Sequence, residues 1–345
     1  MSAPLIFLNQ EEVKQCGGAD MERTIDIIEK VFSLHQKGDY VLPDKTVLRW
    51  GNVESEAVTG RINGMPGYIG GEFNLSGIKW ISSNPSNPFK SNLPRAAGTI
   101  ILNAPDTYLP IAVMDGTLIS SMRTAANNGL AAKYLAKEDS RVIGLIGAGV
   151  LNRAVLLALN TVLPQLEEVK IFDLDFDRSK SFINDMQSYI PSVKMSISDS
   201  AKNAVVGSDV FVTATVTKEP IIKSEWIDQG SLYLQVGPHE CEFDVIHKAD
   251  KVIVDDWEKI KSRGNKTLSH MHANGDFEDS GIHSQLGELV NGVKEGRENE
   301  QEFIYFNSVG MGIQDIAVAK EVYKNAKKEG IGTELDLWGA SSTFM

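Results

Sequence analysis

The spacing of hydrophobic residues in the first 140 positions changes from helical to strand-like and back. After the short apolar run LIFL, apolar residues recur every three or four positions between Ile25 and Leu34, which predicts an amphipathic helix. From residue 40 to 115 the apolar runs are short, β-branched or alternating, and Gly, Pro and Asn interrupt them. These runs, which are GRINGMPGYIGG, LSGIKWISSNP, GTIILNAP and LPIAVMD, predict a mostly antiparallel sheet. The Ala-rich segment from Thr117 to Lys137 predicts a long helix.

After residue 140, strand-like and helical segments alternate. The strand candidates are RVIGLIG, EEVKIFDLD, DVFVTATV, SLYLQVG, KVIVDDW and EFIYFNSVG, and the first two are followed by the helical patterns VLNRAVLLALNTVL and DRSKSFINDMQSY. Such alternation predicts a parallel sheet covered by helices. We therefore predict an α/β chain with a Rossmann-type doubly wound sheet in residues 138–312. An N-terminal α+β domain, residues 1–137, precedes it and is completed by the C-terminal segment 313–345, whose helix packs back on it.

Composition narrows the class of protein. The 345 residues carry 34 Lys and Arg against 46 Asp and Glu, and the formal net charge of −12 disfavours nucleic acid and membranes as partners. The two cysteines, Cys16 and Cys241, allow neither a disulfide framework nor a paired-cysteine zinc site. Apolar runs stay short of the 18 or so residues that a membrane span needs, and the first residues lack the basic flank of a signal peptide. We therefore expect a cytoplasmic protein.

A glycine-rich loop joins RVIGLIG to the helix that follows. In the dinucleotide fingerprint G-x-G-x-x-G, Gly147 and Gly149 occupy the first two glycine positions and Asn152 the third. The glycines permit a tight turn and the approach of backbone N–H groups to a pyrophosphate, and Asn152 can also donate to a phosphate. Asp173 ends the next strand, where a carboxylate accepts ribose hydroxyls and repels the 2′-phosphate of NADP, although Arg178 nearby weakens this preference. The pattern predicts an NAD site; the alternative is a glycine junction that serves packing alone.

Several longer motifs carry a family resemblance. They are RINGMPGYIGG, SGIKWISSNPSN, GTIILNAPDTYLPIAVMDGTLISSMRTAA, LIGAGVLNRA, IFDLD, VTATVT and FNSVGMGIQD. With these motifs the chain resembles the ornithine cyclodeaminase/μ-crystallin family along essentially its whole length, and GIKW followed by S-x-R-T-A-A is highly specific to that family. The resemblance implies an N-terminal substrate-binding and dimerisation domain, a Rossmann domain, and chemistry at an amino-acid Cα with NAD in a homodimer.

The resemblance also implies site residues. Arg49, Lys79 and Arg123 match the positions that grip a substrate carboxylate, for which arginine offers a bidentate pair. Arg61 and Met65 are further substrate-binding candidates, against a turn residue and a core methionine as the alternative interpretations. The implied cofactor-binding residues are Thr124, Gly147, Ala148, Gly149, Val150, Leu151, Asn152, Asp173, Arg178, Thr215, Val216, Val236 and Ser308.

One position departs from the cyclodeaminase pattern. In those enzymes a strand ending in VGGD offers a catalytic aspartate, whereas the matching stretch here is Val236-Gly237-Pro238-His239, followed by Glu240. This departure disfavours cyclodeamination and favours a dehydrogenase. His239 suits a general base, with Lys79 and Glu240 as rivals, and a structural histidine is the alternative. His270 and His272 lack a carboxylate or thiol partner at ligand spacing, so we predict no metal site.

Within the family, the chain is most similar to the siderophore-pathway dehydrogenase branch. The supporting segments are GGEFNLSGIKWISSNPSNP, LISSMRTAA, KADKVIVDDW and HSQLGELVNGVKEGRENEQE. That branch implies NAD-dependent cleavage of N-(2-amino-2-carboxyethyl)-L-glutamate, a substrate with three carboxylates, to 2-oxoglutarate and L-2,3-diaminopropionate. The alternatives are a ketimine or imino-acid reductase or an amino-acid dehydrogenase of the same family, an ornithine cyclodeaminase, and a non-catalytic dinucleotide-dependent ligand-binding protein.

Overall fold

The computed structural model describes residues 4–51 and 60–338. Its elements up to residue 135 are β1 (Pro4–Leu8), α1 (Gln10–Val13), α2 (Met21–Gln36), β2 (Tyr40–Val41), β3 (Thr46–Trp50), β4 (Gly60–Ile69), β5 (Leu75–Ser83), α3 (Asn87–Lys90), β6 (Ala96–Asn103), β7 (Pro110–Asp115) and α4 (Thr117–Leu135). The later elements are β8 (Val142–Ile146), α5 (Val150–Val162), β9 (Glu168–Phe172), α6 (Phe176–Gln187), β10 (Lys194–Ile197), α7 (Ala201–Val205), β11 (Val210–Thr213), β12 (Leu232–Gln235), α8 (Phe243–Lys248), β13 (Lys251–Val254), α9 (Trp257–Lys261), α10 (Thr267–Asn274), β14 (Ser284–Gln285), α11 (Leu286–Val290), β15 (Ile304–Asn307), α12 (Gly312–Glu329) and β16 (Thr333–Asp336). A π-helical turn (Lys14–Gly18) and two 3₁₀ turns (Ser224–Trp226 and Asp279–Gly281) complete the described secondary structure.

The described residues of 1–123 and 311–345 form the first of two compact units, here called unit 1. Its sheet has the order β16-β1-β7-β6-β5-β4-β2, and β3 also pairs with β4. The pairs from β4 to β7 are antiparallel, and β1 lies parallel to β7. Helix α12 packs against α2 and against β4, β5 and β6, which buries Ile28, Phe32, Ile313 and Ile316. The predicted, mostly antiparallel sheet is confirmed, and α12 packs on it. That the segment 313–345 completes the N-terminal domain stays a prediction, and its residues 339–345 lie outside the described residues.

Local sequence explains where α12 begins and ends. An acidic residue in its first turn and Lys327 and Lys328 in its last turn match the helix dipole, and Gly330, at φ 67°, ends it in the left-handed conformation. A Cβ on Gly312, the first residue of the helix, would lie 2.8 Å from the carbonyl oxygen of Met65. Glycine at this position therefore lets the first turn of α12 approach β4 closely.

Residues 124–310 form the second unit, unit 2, around a parallel sheet. Its strand order is β10-β9-β8-β11-β12-β15-β13-β14, and every pair in it is parallel. The central strands β11, β12, β13 and β15 are buried along their whole length, as expected for a sheet covered on both faces. The predicted α/β class, with its Rossmann-type parallel sheet and an N-terminal α+β sheet, is confirmed.

The chain passes from unit 1 to unit 2 inside α4, between residues 123 and 124, and returns between residues 310 and 311. The domain boundaries predicted after residues 137 and 312 stay predictions. Helix α4 continues across this point, so its pattern of hydrophobic residues does not mark where the chain changes units. The end of the helix is easier to recognise in the sequence. Among the described residues, no helix is both long and apolar enough to cross a membrane.

Candidate functional site

The glycine loop of unit 2 has the geometry of an anion-binding helix start. Gly147 has φ 97°, and a Cβ there would lie 2.8 Å from the carbonyl oxygen of Ala214. Gly149 caps α5 without any side-chain hydrogen bond, and a Cβ on it would meet nothing within 4 Å. The start of α5 therefore has no side-chain cap and has open space beside Gly149, at the positive end of the helix dipole. This arrangement fits the pyrophosphate of a dinucleotide.

Four further predicted cofactor residues belong to the same loop and the first turn of α5. Asn152 is fully buried, and its side-chain amide donates to the carbonyl oxygens of Ile146 (3.0 Å) and Gly147 (2.6 Å). Its side chain thus holds the loop, whereas donation to a phosphate was the sequence-based expectation. Ala148 is buried, and Val150 is exposed in the first turn of α5 together with half-buried Leu151. Their contact with a cofactor stays a prediction.

Asp173 follows β9 and lies beside the glycine loop. One of its carboxylate oxygens accepts from Ala148 N–H at 2.8 Å and the other from Asp175 N–H at 3.0 Å. These contacts fix the carboxylate at the end of the second strand, where a ribose is expected. Arg178 is exposed in the first turn of α6, where its backbone N–H donates to Asp175.

Glu240 organises the loops at the carboxyl ends of β11 and β12. It is fully buried, and its carboxylate accepts from the Thr213 hydroxyl, from both the N–H and the hydroxyl of Thr215, and from Gly237 N–H, at 2.6–2.8 Å. Burial raises the pKa of this carboxyl group, and the threonine hydrogen bonds oppose the rise. With both oxygens in use, Glu240 has the contacts of a loop-positioning residue, and we propose that role in place of the catalytic one.

His239 lies on the loop after β12, partly buried. Its Nδ1 is 3.2 Å from the Thr267 hydroxyl, and its ring centroid is 5.0 Å from that of His270. Burial lowers the pKa of His239, His270 lowers it further, and Glu219 opposes both. Thus the imidazole favours its neutral form at neutral pH, as a general base requires.

A buried lysine binds the backbone just before His239. Lys266 Nζ donates to the carbonyl oxygens of Val236 and Gly237 at 2.8 and 2.7 Å. Burial, and then the charge of Arg263, lowers the pKa of Lys266 to about 8. The remaining predicted cofactor residues of unit 2 are Thr124 and Thr215, which are half-buried, Val216, which is exposed, and Ser308, which is buried.

Strand alternation in unit 1 brings four predicted substrate residues to one face of the sheet. Arg49 lies directly opposite Arg61 in the β3–β4 pair, and Met65 lies directly opposite Lys79 in the β4–β5 pair. Residues 61 and 65 are separated by an even number of positions on β4, so both rungs point to the same side. We call this side the cationic face.

Helix α12 adds a carboxylate to the cationic face. Asp315 Oδ2 accepts from Lys79 Nζ at 2.8 Å, and Asp315 Oδ1 accepts from Arg123 Nε at 3.1 Å. Lys79 also donates to the Ser120 hydroxyl at 3.1 Å, and Arg123 to the Gln314 side-chain oxygen at 3.2 Å. The side chains of Lys79, Arg123 and Asp315 are 2%, 8% and 0% exposed, so these charges interact with little screening by water.

This environment changes the acid–base chemistry of Lys79. Burial, and then the nearby Arg123 charge, lowers its pKa to about 8, although Asp315 raises it through its charge and hydrogen bond. A lysine with a pKa near 8 can exchange protons at physiological pH. Lys79 is therefore suited to proton transfer, in addition to the carboxylate binding expected from the sequence.

Asp315 is the site residue that the sequence analysis missed. Its motif, GMGIQD, was recognised, but no role was assigned to the carboxylate. The available signal is a charged residue on the apolar side of a helix, since Asp315 is buried together with Ile313 and Ile316. Metal ligation does not explain it, because no group of three His, Cys, Asp or Glu side chains within residues 4–51 and 60–338 could hold an ion.

Comparison with known proteins identifies the family of the chain. The family model described as the ornithine cyclodeaminase/mu-crystallin family matches residues 6–330. The N-((2S)-2-amino-2-carboxyethyl)-L-glutamate dehydrogenase of Staphylococcus aureus is 37% identical over 338 residues, which cover 98% of this chain and 100% of the relative.

Two solved structures resemble the whole chain. Δ(1)-pyrroline-2-carboxylate reductase of Thermococcus litoralis, in complex with NADH and L-proline, is 32% identical with a TM-score of 0.88, and the match covers 95% of this chain and 99% of that one. An archaeal alanine dehydrogenase dimer with bound NAD is 33% identical with a TM-score of 0.88, over 97% of this chain and 100% of that one. The family match and these identities over nearly full length show that the chain belongs to the ornithine cyclodeaminase/μ-crystallin family.

Proposed function

We propose that the protein is an NAD-dependent dehydrogenase that cleaves N-(2-amino-2-carboxyethyl)-L-glutamate to 2-oxoglutarate and L-2,3-diaminopropionate for siderophore or related secondary-metabolite biosynthesis. Its coarser class, an oxidoreductase acting on the CH–NH bond of an amino acid, follows from the family and its full-length relatives. The observation that carries the finer proposal is the excess of positive charge at the cationic face and at Arg123 of α4. Among the described residues, Asp315 pairs with two of these four cations, Lys79 and Arg123, and no ion pair involves Arg49 or Arg61. A substrate with three carboxylates complements this excess of positive charge.

The geometry of unit 2 supports the choice of cofactor residues. The N–H groups that begin α5 would hold the pyrophosphate of NAD, and Asp173 would accept the hydroxyls of its adenosine ribose. NAD supplies the acceptor for the hydride that leaves the glutamate Cα. Asp173 beside the ribose opposes a 2′-phosphate, so the proposal is specific for NAD over NADP.

The residues of the chain handle the carboxylates and the protons. Arg123 and the arginines of the cationic face bind and orient the substrate carboxylates. Lys79, as the neutral amine, takes the proton from the substrate ammonium, because hydride can leave only when the nitrogen lone pair is free to form the imine. His239, in its neutral form, accepts a proton from the water that adds to the imine carbon. The C–N bond of the resulting carbinolamine then breaks, which gives the ketone of 2-oxoglutarate and the amine of 2,3-diaminopropionate.

A direct assay tests this reaction. Purified protein with NAD and N-(2-amino-2-carboxyethyl)-L-glutamate should release NADH, 2-oxoglutarate and 2,3-diaminopropionate in equal amounts. L-Ornithine should give negligible proline and ammonia, because His239 offers no fixed negative charge for a second ammonium group. Substantial proline formation from ornithine, or no turnover of the tricarboxylic amine, would reject the proposal.

A second candidate is an imino-acid reductase or a simple amino-acid dehydrogenase. The similarity to the Thermococcus litoralis reductase and to the archaeal alanine dehydrogenase favours it. These functions require only one substrate carboxylate. They predict that pyrroline-2-carboxylate with NADH, or alanine with NAD, is turned over with a higher kcat/KM than the tricarboxylic amine.

We also propose that the protein is a homodimer. The sheet face opposite the cationic face carries large apolar side chains that are 42–57% exposed in the single chain, which are Val41, Leu48, Trp50 and Trp80. A second copy of the chain would cover this face, and the alanine dehydrogenase relative is described as a dimer. Light scattering should give twice the mass of 37.8 kDa, and Trp80→Glu should shift the protein toward monomers.

A further inference from the structure

We infer that Thr267 is the positioning residue for His239. A buried chain of hydrogen bonds from His239 through Thr267 to Gln235 keeps the imidazole proton on Nδ1 and leaves Nε2 as the nitrogen that accepts a proton. The inference deepens the proposed function and rests on it only for the role of His239 as a base. Neither Thr267 nor Gln235 was among the candidate site residues of the sequence analysis.

Secondary structure fixes both partners of His239 in this chain. Gln235 is the last residue of β12 and Thr267 the first residue of α10, and both are fully buried. Nδ1 of His239 lies 3.2 Å from the hydroxyl oxygen of Thr267. Phe243 and His270 flank the ring, with centroid distances of 5.7 and 5.0 Å. The ring is thus held at Nδ1, whereas Nε2 accepts or donates no hydrogen bond among the described residues.

The orientation of the Gln235 amide follows from its partners. Its nitrogen donates to the carbonyl oxygen of Pro238, which can only accept, and its oxygen accepts from the hydroxyl of Tyr305. The thiol of Cys241, a weak donor, lies 3.4 Å from the same amide oxygen. The reverse orientation would place the amide oxygen against the carbonyl oxygen of Pro238. Gln235 Oε1 is therefore an acceptor, 3.2 Å from the hydroxyl oxygen of Thr267.

The single proton of the Thr267 hydroxyl decides the tautomer of His239. If Thr267 donates to Gln235 Oε1, His239 Nδ1 must donate to Thr267, and each of these two 3.2 Å contacts contains one proton. If Thr267 donated to Nδ1 instead, its oxygen would face Gln235 Oε1 with no proton between them. In both cases Thr267 accepts from Gln235 Nε2 at 3.0 Å. The first arrangement alone satisfies every contact, so the neutral imidazole carries its proton on Nδ1 and its lone pair on Nε2.

This chain of hydrogen bonds suits the proton transfer proposed for His239. When Nε2 accepts a proton from the attacking water, the imidazolium donates through Nδ1–H to Thr267, and a charged donor makes a stronger hydrogen bond than a neutral one. Since Thr267 and Gln235 are both fully buried, water does not compete for their hydrogen bonds. The imidazole therefore keeps its orientation and its tautomer between turnovers.

The first test measures the tautomer directly and without substrate. Long-range nitrogen–proton correlation spectra of the protein with isotope-labelled histidine, assigned by comparison with His239→Gln, show which nitrogen carries the proton at alkaline pH, where the ring is neutral. We expect the Nδ1–H form in the wild-type protein. Thr267→Val lacks the hydroxyl and should lose this preference, whereas Thr267→Ser should retain it. A wild-type ring protonated on Nε2, or the same tautomer in Thr267→Val, would overturn the inference.

Kinetic measurements connect the tautomer to catalysis. With whichever of the substrates above is turned over, Thr267→Val should lower kcat by about 10- to 100-fold, the usual effect of losing a group that orients a functional histidine, with KM nearly unchanged. Thr267→Ser should restore kcat. Ser269→Ala is the matched control, because it removes a buried hydroxyl of the same helix turn whose hydrogen bonds are with the backbone of Lys266. It should leave the tautomer and kcat as in the wild type.

The outcomes separate this inference from the proposed reaction. An unchanged kcat in Thr267→Val would overturn the positioning role, because the hydroxyl would then have no effect on catalysis. The wild-type spectrum needs no change at Thr267, so it can refute the assigned tautomer even if Thr267→Val does not fold. If the tautomer depends on Thr267 but the tricarboxylic amine is not turned over, the positioning of His239 stands and the proposed reaction fails.

Discussion

The two candidate sites are built in opposite ways. In unit 2 the groups expected to hold the pyrophosphate and the ribose of NAD come from one strand–loop–helix segment and the end of the next strand, and they are the backbone N–H groups that begin α5 and the carboxylate of Asp173. In unit 1 the charges belong to β3, β4, β5, α4 and α12, and the ion pair between Lys79 and Asp315 joins residues 236 positions apart. We therefore expect the cofactor site to tolerate most side-chain substitutions, except those that place a Cβ or a charge where the cofactor binds. The substrate site, in contrast, should depend on individual side chains.

The largest expected effect of a single substitution is at Lys79. Lys79→Met removes the proton acceptor and leaves Asp315 paired with Arg123 alone. We expect kcat for the oxidative reaction to fall by about 10²- to 10⁴-fold, the usual contribution of a general base. The affinity for NAD, measured by fluorescence titration, should stay within about twofold, because the residues proposed to bind NAD belong to unit 2. A loss of NAD affinity as large as the loss of kcat would contradict this separation.

Asp315→Asn tests the same cluster through its pH dependence. Asp315 raises the pKa of Lys79, so its loss should lower that pKa below about 8. In the proposed mechanism the neutral amine is the active form, so the rise of kcat/KM with pH should move to lower pH in the variant. Removing one partner of a buried ion pair should also cost about 3–5 kcal/mol in the free energy of unfolding.

Ser120→Ala is the matched control for Asp315→Asn. It removes a neutral hydrogen-bond partner of Lys79 without changing the charge of the cluster. We expect it to leave the midpoint of the pH profile nearly unchanged. A shift as large as that of Asp315→Asn would mean that the hydrogen bond to Ser120 influences the proton affinity of Lys79 as strongly as the carboxylate does.

The difference between a site formed by short segments and a site formed by residues far apart in the chain explains what could be predicted from the sequence. The strand candidates from RVIGLIG to EFIYFNSVG, the glycine loop and Asp173 are encoded in short segments, so the parallel sheet and the fold class were predicted correctly. Asp315 was not recognised, because nothing in a linear pattern shows that a C-terminal helix returns its first turn to Lys79. Likewise, the buried hydrogen bonds of Glu240 depend on loops 25 residues apart, so the sequence left it as a rival base.

Two glycine substitutions should separate folding from cofactor binding in unit 2. Gly149→Ala adds a methyl group where no atom lies within 4 Å and where φ is −81°, so the fold should be unaffected. The methyl group would stand where the pyrophosphate approaches, and we expect at least a tenfold weaker affinity for NAD. Gly147→Ala, at φ 97° and close to Ala214, should instead lower the free energy of unfolding by about 1–3 kcal/mol. Thermal unfolding and NAD titration of both variants measure this contrast; unchanged NAD affinity in Gly149→Ala would argue against the loop as the pyrophosphate site.

The smallest expected effect concerns the choice between NAD and NADP. We expect the wild-type protein to bind NAD at least tenfold more tightly than NADP, because the Asp173 carboxylate repels a 2′-phosphate. Asp173→Asn keeps an oxygen that can accept a hydrogen bond from Ala148 N–H but removes the negative charge. It should therefore reduce the preference for NAD over NADP about tenfold, mainly by improving the binding of NADP. Asp173→Ala removes both the charge and the hydrogen bonds, and it should weaken NAD binding as well. Equal binding of NAD and NADP by the wild-type protein would show that Asp173 supports the glycine loop without reading the ribose. The prediction of NAD specificity would then fail even though the loop still binds a dinucleotide.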